Sequence, residues 1–312
     1  MNKVVVGSRG SKLALIQAGH VIDSLRGIAP EQEFELKIIK TTGDKILDTP
    51  LARIGDKGLF VKEIENALLQ REIDLAVHSM KDVPTRIQPG LTIAAITKRE
   101  DPRDVLLSGS GQKLMELPAG ATLGTGSLRR VAQLLHLRPD LTCVPVRGNL
   151  ETRLGKLKEQ QFSALVLAYA GLKRLGRLEL LTEIIPVNLC LPAVGQGALG
   201  IEMREGDTTL EQLILSINDS STHAAVLAER AFLRKLEGGC QVPIGALGEI
   251  RGGKLHLQGI IAALDGSTVL RDEERGNASA AEQVGLRLAE KLLARGGASI
   301  LEKVRRDFNN NG

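Results

Sequence analysis

The sequence predicts an α/β protein in which two segments of mostly parallel sheet, with helices on both faces, precede a small α+β domain with an antiparallel sheet. Three observations predict it. Short apolar runs alternate with amphipathic helical stretches from Val4 to Ala168. The runs of both segments end in turns rich in glycine, small hydroxyls and arginine. From about residue 216 the pattern changes to alternating runs joined by tight Gly-containing turns.

Taken in order, Val4-Val5-Val6 is an apolar run that turns at Gly7-Ser8-Arg9-Gly10-Ser11 into a helix carrying Leu13, Ile16, Ala18 and Val21. Phe34, Leu36 and Ile38 alternate with charged residues and predict a second strand. Residues 60–70 read as helix, and Ile73 to Val77 as a strand running into His78-Ser79-Met80-Lys81-Asp82-Val83-Pro84. A second set starts after Arg99-Glu100-Asp101-Pro102-Arg103. Thr122-Leu123 turns at Gly124-Thr125-Gly126-Ser127 into a helix from Leu128 to Leu137, and the strand from Leu141 to Val146 turns at Arg147-Gly148-Asn149 into a helix ending near Gln160. Residues 164–168 read as a buried strand, and Leu191-Pro192-Ala193-Val194-Gly195-Gln196-Gly197 as a hinge or crossover. A helix over 224–236 is followed by strands near 246–250, 254–264 and 268–272. Ser279-Ala280-Ala281-Glu282 has the capping-box spacing and predicts a helix to about Arg295, with a frayed end at Asn309-Asn310-Asn311-Gly312.

The 312 residues suffice for two or three domains, and 43% hydrophobic with 25% charged residues is ordinary for a globular chain. The net charge of +4 suits anionic small molecules as well as nucleic acid. Five Phe, one Tyr and no Trp argue against a single-strand nucleic-acid surface, which needs stacking platforms. Cys143, Cys190 and Cys240 are too few and too scattered for a disulfide framework or a zinc site, so no metal is expected. With no secretory apolar region and no run of the ~18 residues that a membrane span needs, the expectation is a cytoplasmic, reduced protein without membrane contact.

Ligands of open α/β sheets sit beyond the carboxyl ends of the strands. The residues predicted there are Ser8-Arg9-Gly10-Ser11, Thr41-Thr42-Gly43-Asp44, His78-Ser79-Met80-Lys81-Asp82, Thr125-Gly126-Ser127 with Arg129-Arg130, and Arg147-Gly148-Asn149 with Arg153. This set suits a ligand with several carboxylates or phosphates, which arginine binds bidentately. The alternative is a solvated face of weak surface ion pairs. Gly124-Thr125-Gly126-Ser127 could hold an anion on backbone N–H groups, or Ser127 could simply cap the helix. Asp82, next to Lys81, could steady a developing cation or relay a proton, or could only shape its turn.

Cys143 and Cys190 lie in apolar contexts and read as core. Cys240, in Leu236-Glu237-Gly238-Gly239-Cys240-Gln241-Val242-Pro243, has little side-chain bulk beside it and is either a packing residue or a covalent attachment point. His78 reads as a buried strand-end histidine.

The segments Val77-His78-Ser79-Met80-Lys81-Asp82-Val83-Pro84, Gly124-Thr125-Gly126-Ser127-Leu128-Arg129-Arg130, Arg147-Gly148-Asn149, 191–197 and 237–243 resemble the porphobilinogen deaminase (hydroxymethylbilane synthase) family, in the family's order. The similarity runs from Val4 to about residue 275. Gly126 departs from the pattern, since many members carry Ser there.

The resemblance implies two lobes like those of periplasmic solute-binding proteins and a cofactor-attachment domain, with boundaries at 1–97 plus 197–215, 98–196, and 216–312. It implies a dipyrromethane cofactor in thioether linkage to Cys240, and the head-to-tail joining of four porphobilinogen molecules with loss of ammonia, followed by hydrolytic release. Asp82 is the implied catalytic carboxylate. Lys81, Asp44, Thr125, Gly126, Ser127, Arg129, Arg130 and Arg147 are implied at the cofactor, and Arg9, Ser11, Lys57, Arg147 and Arg153 at the substrate. Lys57 lies in Asp56-Lys57-Gly58-Leu59-Phe60, a segment suited to a mobile cover, where Phe60 could pack on a ring or in the core. A monomer that passes its product to uroporphyrinogen-III synthase is also implied.

Two rivals remain from the residues alone. A solute-binding protein for an anionic ligand suits two α/β lobes but gives Cys240 no role. A thiol acyltransferase needs a general base near Cys240, and only His78, His223 and His256 are on offer.

Overall fold

Alternation of apolar runs with amphipathic helices produces two five-stranded sheets, and the period-2 tail a third sheet of three strands. The structure is a computed structural model that describes residues 3–45, 58, 60–236 and 242–310, apart from the side chains of 44, 45 and 308–310. In chain order the elements are β1 (Lys3–Ser8), α1 (Lys12–Ile28), β2 (Glu33–Ile38), α2 (Thr42–Lys45), α3 (Lys62–Leu69), β3 (Leu75–Ser79), β4 (Leu91–Ile96) and β5 (Asp104–Ser108). There follow β6 (Thr122–Gly124), α4 (Leu128–Leu137), β7 (Thr142–Val144), α5 (Leu150–Lys158), β8 (Ala164–Ala168), α6 (Tyr169–Arg174) and β9 (Glu183–Ile184). The chain ends with β10 (Leu199–Arg204), α7 (Thr208–Leu215), α8 (Ser220–Lys235), β11 (Ile244–Arg251), β12 (Lys254–Ala262), β13 (Val269–Asn277), α9 (Ala281–Leu292) and α10 (Ala298–Asn310).

One compact unit holds the described residues up to Glu100 together with Gly197–His223. Its sheet has the order β2-β1-β3-β10-β4. β1 runs parallel to β2 and β3, whereas β10 runs antiparallel to both of its neighbours. Val4, Val6, Leu75, Val77 and Ile201 fill the core against Ala18, Val21 and Leu25 of α1. The apolar face of α1 at near-helical spacing is what makes that packing possible.

The second unit holds Asp101–Gln196 and the chain from Ala224 onward. Its five-stranded sheet, β7-β6-β8-β5-β9, repeats the plan of the first, with β5 as the single reversed strand. Both sheets are thus mostly parallel, and in each the reversed strand lies fourth. The antiparallel sheet β11-β12-β13 packs Leu255, Leu257 and Ile261 against Phe232 of α8 and Leu288 of α9.

The chain departs from the sequence expectation at several points. β4, β5 and β10 carry no expected counterpart; Asp104 opens the apolar run of β5, and Glu202 and Arg204 break that of β10. Ser279 does not cap a helix: it lies in the 3₁₀ turn Ala278–Ala280, and Ala280 takes the N-cap position without a side-chain hydrogen bond. The C-terminal helix does not stop near Arg295; a π turn, Leu293–Gly297 with Gly296 at φ 103°, leads into α10. α8 begins earlier than its apolar face suggests, because Asp219 accepts the Thr222 N–H at 2.7 Å and opens the helix.

Candidate active site

β3 delivers its last residues into a pocket of the first unit. Ser79 ends the strand, and Met80–Asp82 close a 3₁₀ turn that the Val83–Pro84 pair cannot continue as strand. Met80 is 1% exposed and its N–H donates to the Ala198 carbonyl at 3.0 Å, which pins the turn to the start of β10. Opposite, Gly200 leaves room for the Met80 thioether that any Cβ would occupy. Lys81 and Asp82 therefore project outward from a turn whose centre is locked in the core.

The pocket is lined by Arg9, Gln17, Phe60, His78, Ser79 and Asp82, with Val61, Val77 and Ala14 behind them. The Arg9 guanidinium lies over the Phe60 ring, 4.1 Å from its centroid, so the ring holds the cation from one side. Gln17 Nε2 donates to Ser79 Oγ at 3.0 Å. Phe60 is thus a pocket residue, and Gln17 is one the sequence reading passed over. Its signal was a lone amide on the apolar face of α1, between Ala14 and Val21. Ser11 caps α1, accepting the Ala14 N–H at 3.4 Å.

In the second unit, a buried charge cluster is built on Asp104, the first residue of β5 and wholly inaccessible to solvent. Arg129 Nη1 donates to Asp104 Oδ2 at 2.7 Å and to the Leu191 carbonyl at 2.7 Å. Arg130 Nη2 donates to Asp104 Oδ1 at 2.8 Å, and its Nη1 to the Val166 carbonyl at 2.9 Å. Gln196 Nε2 adds a bond to Asp104 Oδ1 at 2.9 Å. Burial alone pushes the Asp104 carboxyl up, but the two guanidiniums override it and hold it far below the ordinary carboxylate range. One anion against two cations leaves a net positive charge in a dry setting. Arg129 Nε and Arg130 Nε are buried with no hydrogen-bond partner among the described residues.

Arg129 and Arg130 are only 4% and 5% exposed, so an open arginine rim does not describe them. Asp104 was missed by sequence reading; the sign of it was a carboxylate opening the apolar run Asp104-Val105-Leu106-Leu107. Ser127 occupies the N-cap position of α4 but makes no side-chain cap bond, so capping does not use its hydroxyl. The turn before it is only partly open to an anion: the Thr125 N–H goes to the Val144 carbonyl at 2.9 Å, and the Ser127 N–H to Thr125 Oγ1 at 3.2 Å. A Cβ on Gly126 would meet the Val146 carbonyl oxygen at 2.8 Å, so this turn is shaped for glycine.

Arg147 is partly buried, its Nη2 has no hydrogen-bond partner among the described residues, and loss of solvent pulls its pKa below the ordinary guanidinium value. Arg153 Nε donates to the Gly148 carbonyl at 2.9 Å, which ties α5 to the turn that carries Arg147. Cys240 and Lys57 lie outside the described residues, as does the Asp44 side chain. Burial raises the Cys143 thiol to about 11, and burial followed by the Asp104 charge raises Cys190 to about 12. Among the described residues no group of His, Cys, Asp or Glu side chains is arranged to hold a metal ion, and no helix is long and apolar enough to cross a membrane.

The family model for the porphobilinogen deaminase dipyrromethane cofactor binding domain matches residues 4–212, and that for the porphobilinogen deaminase C-terminal domain matches residues 223–294. Porphobilinogen deaminase of Desulforudis audaxviator is 58% identical over 303 residues, 97% of this chain and 98% of the relative. That of Carboxydothermus hydrogenoformans is 53% identical over 307 residues, covering 98% and 99%. Among solved structures, a Salmonella typhimurium periplasmic binding protein with high arginine specificity is similar at TM-score 0.39 and 14% identity, over 70% of this chain and 92% of its own. The chain belongs to the porphobilinogen deaminase family.

Proposed function

We propose that Asp82 is the catalytic carboxylate of this hydroxymethylbilane synthase and that Cys240 carries its dipyrromethane in a thioether. The reaction joins four porphobilinogen molecules head to tail with loss of ammonia and then frees the linear tetrapyrrole by hydrolysis. The observation that carries the assignment is the pocket that unites the Asp82 carboxylate with the Arg9 cation, the Gln17 amide and the Ser79 hydroxyl.

Porphobilinogen bears an acetate and a propionate, and Arg9, Ser11, Lys57, Arg147 and Arg153 are the proposed partners of these carboxylates. Ammonia leaves from the aminomethyl carbon and a delocalised cation remains on the substrate. Asp82 steadies that cation, an anion placed where positive charge develops during the reaction. Arg9, held over the Phe60 ring, fixes the substrate by its carboxylate.

The residues of the second unit fit an acidic pyrrole cofactor. Two guanidiniums on one aspartate leave a spare positive charge, Ser127 keeps its hydroxyl out of the helix cap, and Arg147 has a buried nitrogen without a hydrogen-bond partner among the described residues. Arg129, Arg130, Arg147, Thr125, Ser127 and the Gly126 backbone, with Lys81 and Asp44 from the first unit, are the proposed holders of its carboxylates. When bound, the dipyrromethane supplies the ring carbon to which the first porphobilinogen is joined. Cys143 and Cys190 are held as thiols by burial, which supports Cys240 as the attachment point.

The proposed domain division is 1–97 with 197–215, 98–196, and 216–312, each built around one of the three sheets. The reading extends to a cytoplasmic monomer whose product goes to uroporphyrinogen-III synthase. The test is the intact mass of an active preparation, compared with Cys240→Ala. Wild type should exceed its polypeptide mass by a dipyrrole that Cys240→Ala lacks; a bare mass in active protein would overturn the thioether.

A further inference from the structure

Beside Asp82, the first unit contains a second set of titratable groups that the mechanism above leaves unused. His78, 5% exposed, lines the same pocket. Its Nε2 lies 2.9 Å from Glu202 Oε2, and Glu202 has no solvent exposure. Strand register makes this pair: in the antiparallel β3–β10 ladder Gly200 faces His78 and Glu202 faces Ala76, so Glu202 is the diagonal neighbour of His78 on one sheet face.

Glu202 Oε1 has no hydrogen-bond partner among the described residues. A carboxylate so enclosed, with an imidazole as its hydrogen-bonding partner, is costly unless a proton stands on the ring or is shared. Two apolar side chains would fill the volume without that cost. The other ionisable groups facing the pair are Glu65 from α3, Arg9 from the turn after β1, and Asp82 from the turn after β3. Burial, and then the Glu202 charge, raise the Glu65 carboxyl against the lowering effect of His78. Glu65 is therefore biased toward its protonated form.

We propose that the His78–Glu202 pair is the proton-holding unit of the condensation, with Glu202 as the positioning residue for the His78 ring. In each condensation the protonated His78 ring supplies a proton to the aminomethyl nitrogen, and the C–N bond breaks with its electron pair leaving on ammonia. A C–C bond then forms from the ring carbon, which gives up its proton to the now neutral His78, so the pair returns to its starting state without any oxidant or reductant. The inference rests on Asp82 acting as the cation-stabilising group, because a base that must also hold the cation is poorly placed to carry the proton away.

The experiment compares wild type, Glu202→Gln, His78→Gln and Asp82→Asn by steady-state turnover of porphobilinogen across pH. Ring titration of ¹⁵N-histidine-labelled wild type and Glu202→Gln is followed alongside by NMR. Glu202→Gln should lower kcat roughly 10²-fold with KM little changed, displace the pH profile, and shift the His78 ring titration. His78→Gln should lose the same arm of the pH profile. Superimposable profiles for folded Glu202→Gln and wild type, or an identical ring titration in the two, would overturn the proposal even with Asp82→Asn inactive. An active Asp82→Asn would instead remove the reading on which it rests, while the ring titration would still decide the pair. If either variant fails to fold, Glu202→Asp with the same two readouts decides.

Discussion

The Asp104 carboxylate and the Arg129 guanidinium meet at 2.7 Å with 0% and 5% of their side chains exposed. Arg130 closes on the other carboxylate oxygen at 2.8 Å. Removing the anion from such a cluster strands two buried cations. Asp104→Asn should cost about 3–5 kcal/mol of stability, read from urea denaturation, and a loss below about 1 kcal/mol would mean that the pair behaves as a surface bridge.

The same pair makes part of the stability pH-dependent, with a definite sign. The folded-state pKa of Asp104 lies below its ordinary value of 3.8, so its contribution is fully present above that value and is lost as pH falls toward the folded value. The stability gap between wild type and Asp104→Asn should be flat above about pH 5 and shrink progressively below about pH 4. A gap that stays constant down to the acid transition would contradict this.

Asp82 is exposed and lies on a turn held by Met80, so its replacement spares the fold. Asp82→Asn should keep the covalent cofactor mass and an unchanged melting temperature while turnover drops about 10²-fold or more. Near-normal turnover would return Asp82 to a turn-shaping role.

Glu229 has no solvent exposure and accepts the Gly195 and Gly248 N–H groups, each at 2.7 Å. It ties the glycine-rich crossover segment and β11 to α8. Glu229→Ala leaves both donors buried and unsatisfied, at about 1–3 kcal/mol each. Calorimetry should show a large fall in melting temperature, with a smaller one for Glu229→Gln, which keeps one acceptor.

Gly266, at the β12–β13 turn, has φ +73°, and a Cβ there would meet His136 N at 2.6 Å and Ala132 O at 2.7 Å on α4. The Gly266 carbonyl also accepts from His136 Nδ1 at 2.8 Å. Gly266→Ala should cost about 1–3 kcal/mol in chemical denaturation and weaken amide-exchange protection in the hairpin turn. Unchanged protection would show that the turn docks by other contacts.

Most elements were legible in the sequence because strand and helix periods are local properties: α4 and β8 span the residues that their patterns mark. The motifs were legible for a related reason, since turn chemistry at a strand end is written in adjacent residues. β10 was hidden because Glu202 and Arg204 break its apolar run, and both are accommodated by partners far away in the chain.

The sequence by itself determined the alternation of elements, the family motifs and the residue types of the site. Tertiary structure decided which charges face inward. Asp104 and Arg129 are 25 positions apart, and His78 and Glu202 are 124 apart. Such pairings follow from strand order and register, which set burial and therefore the cost of leaving a charge alone, and neither is a property of neighbouring residues.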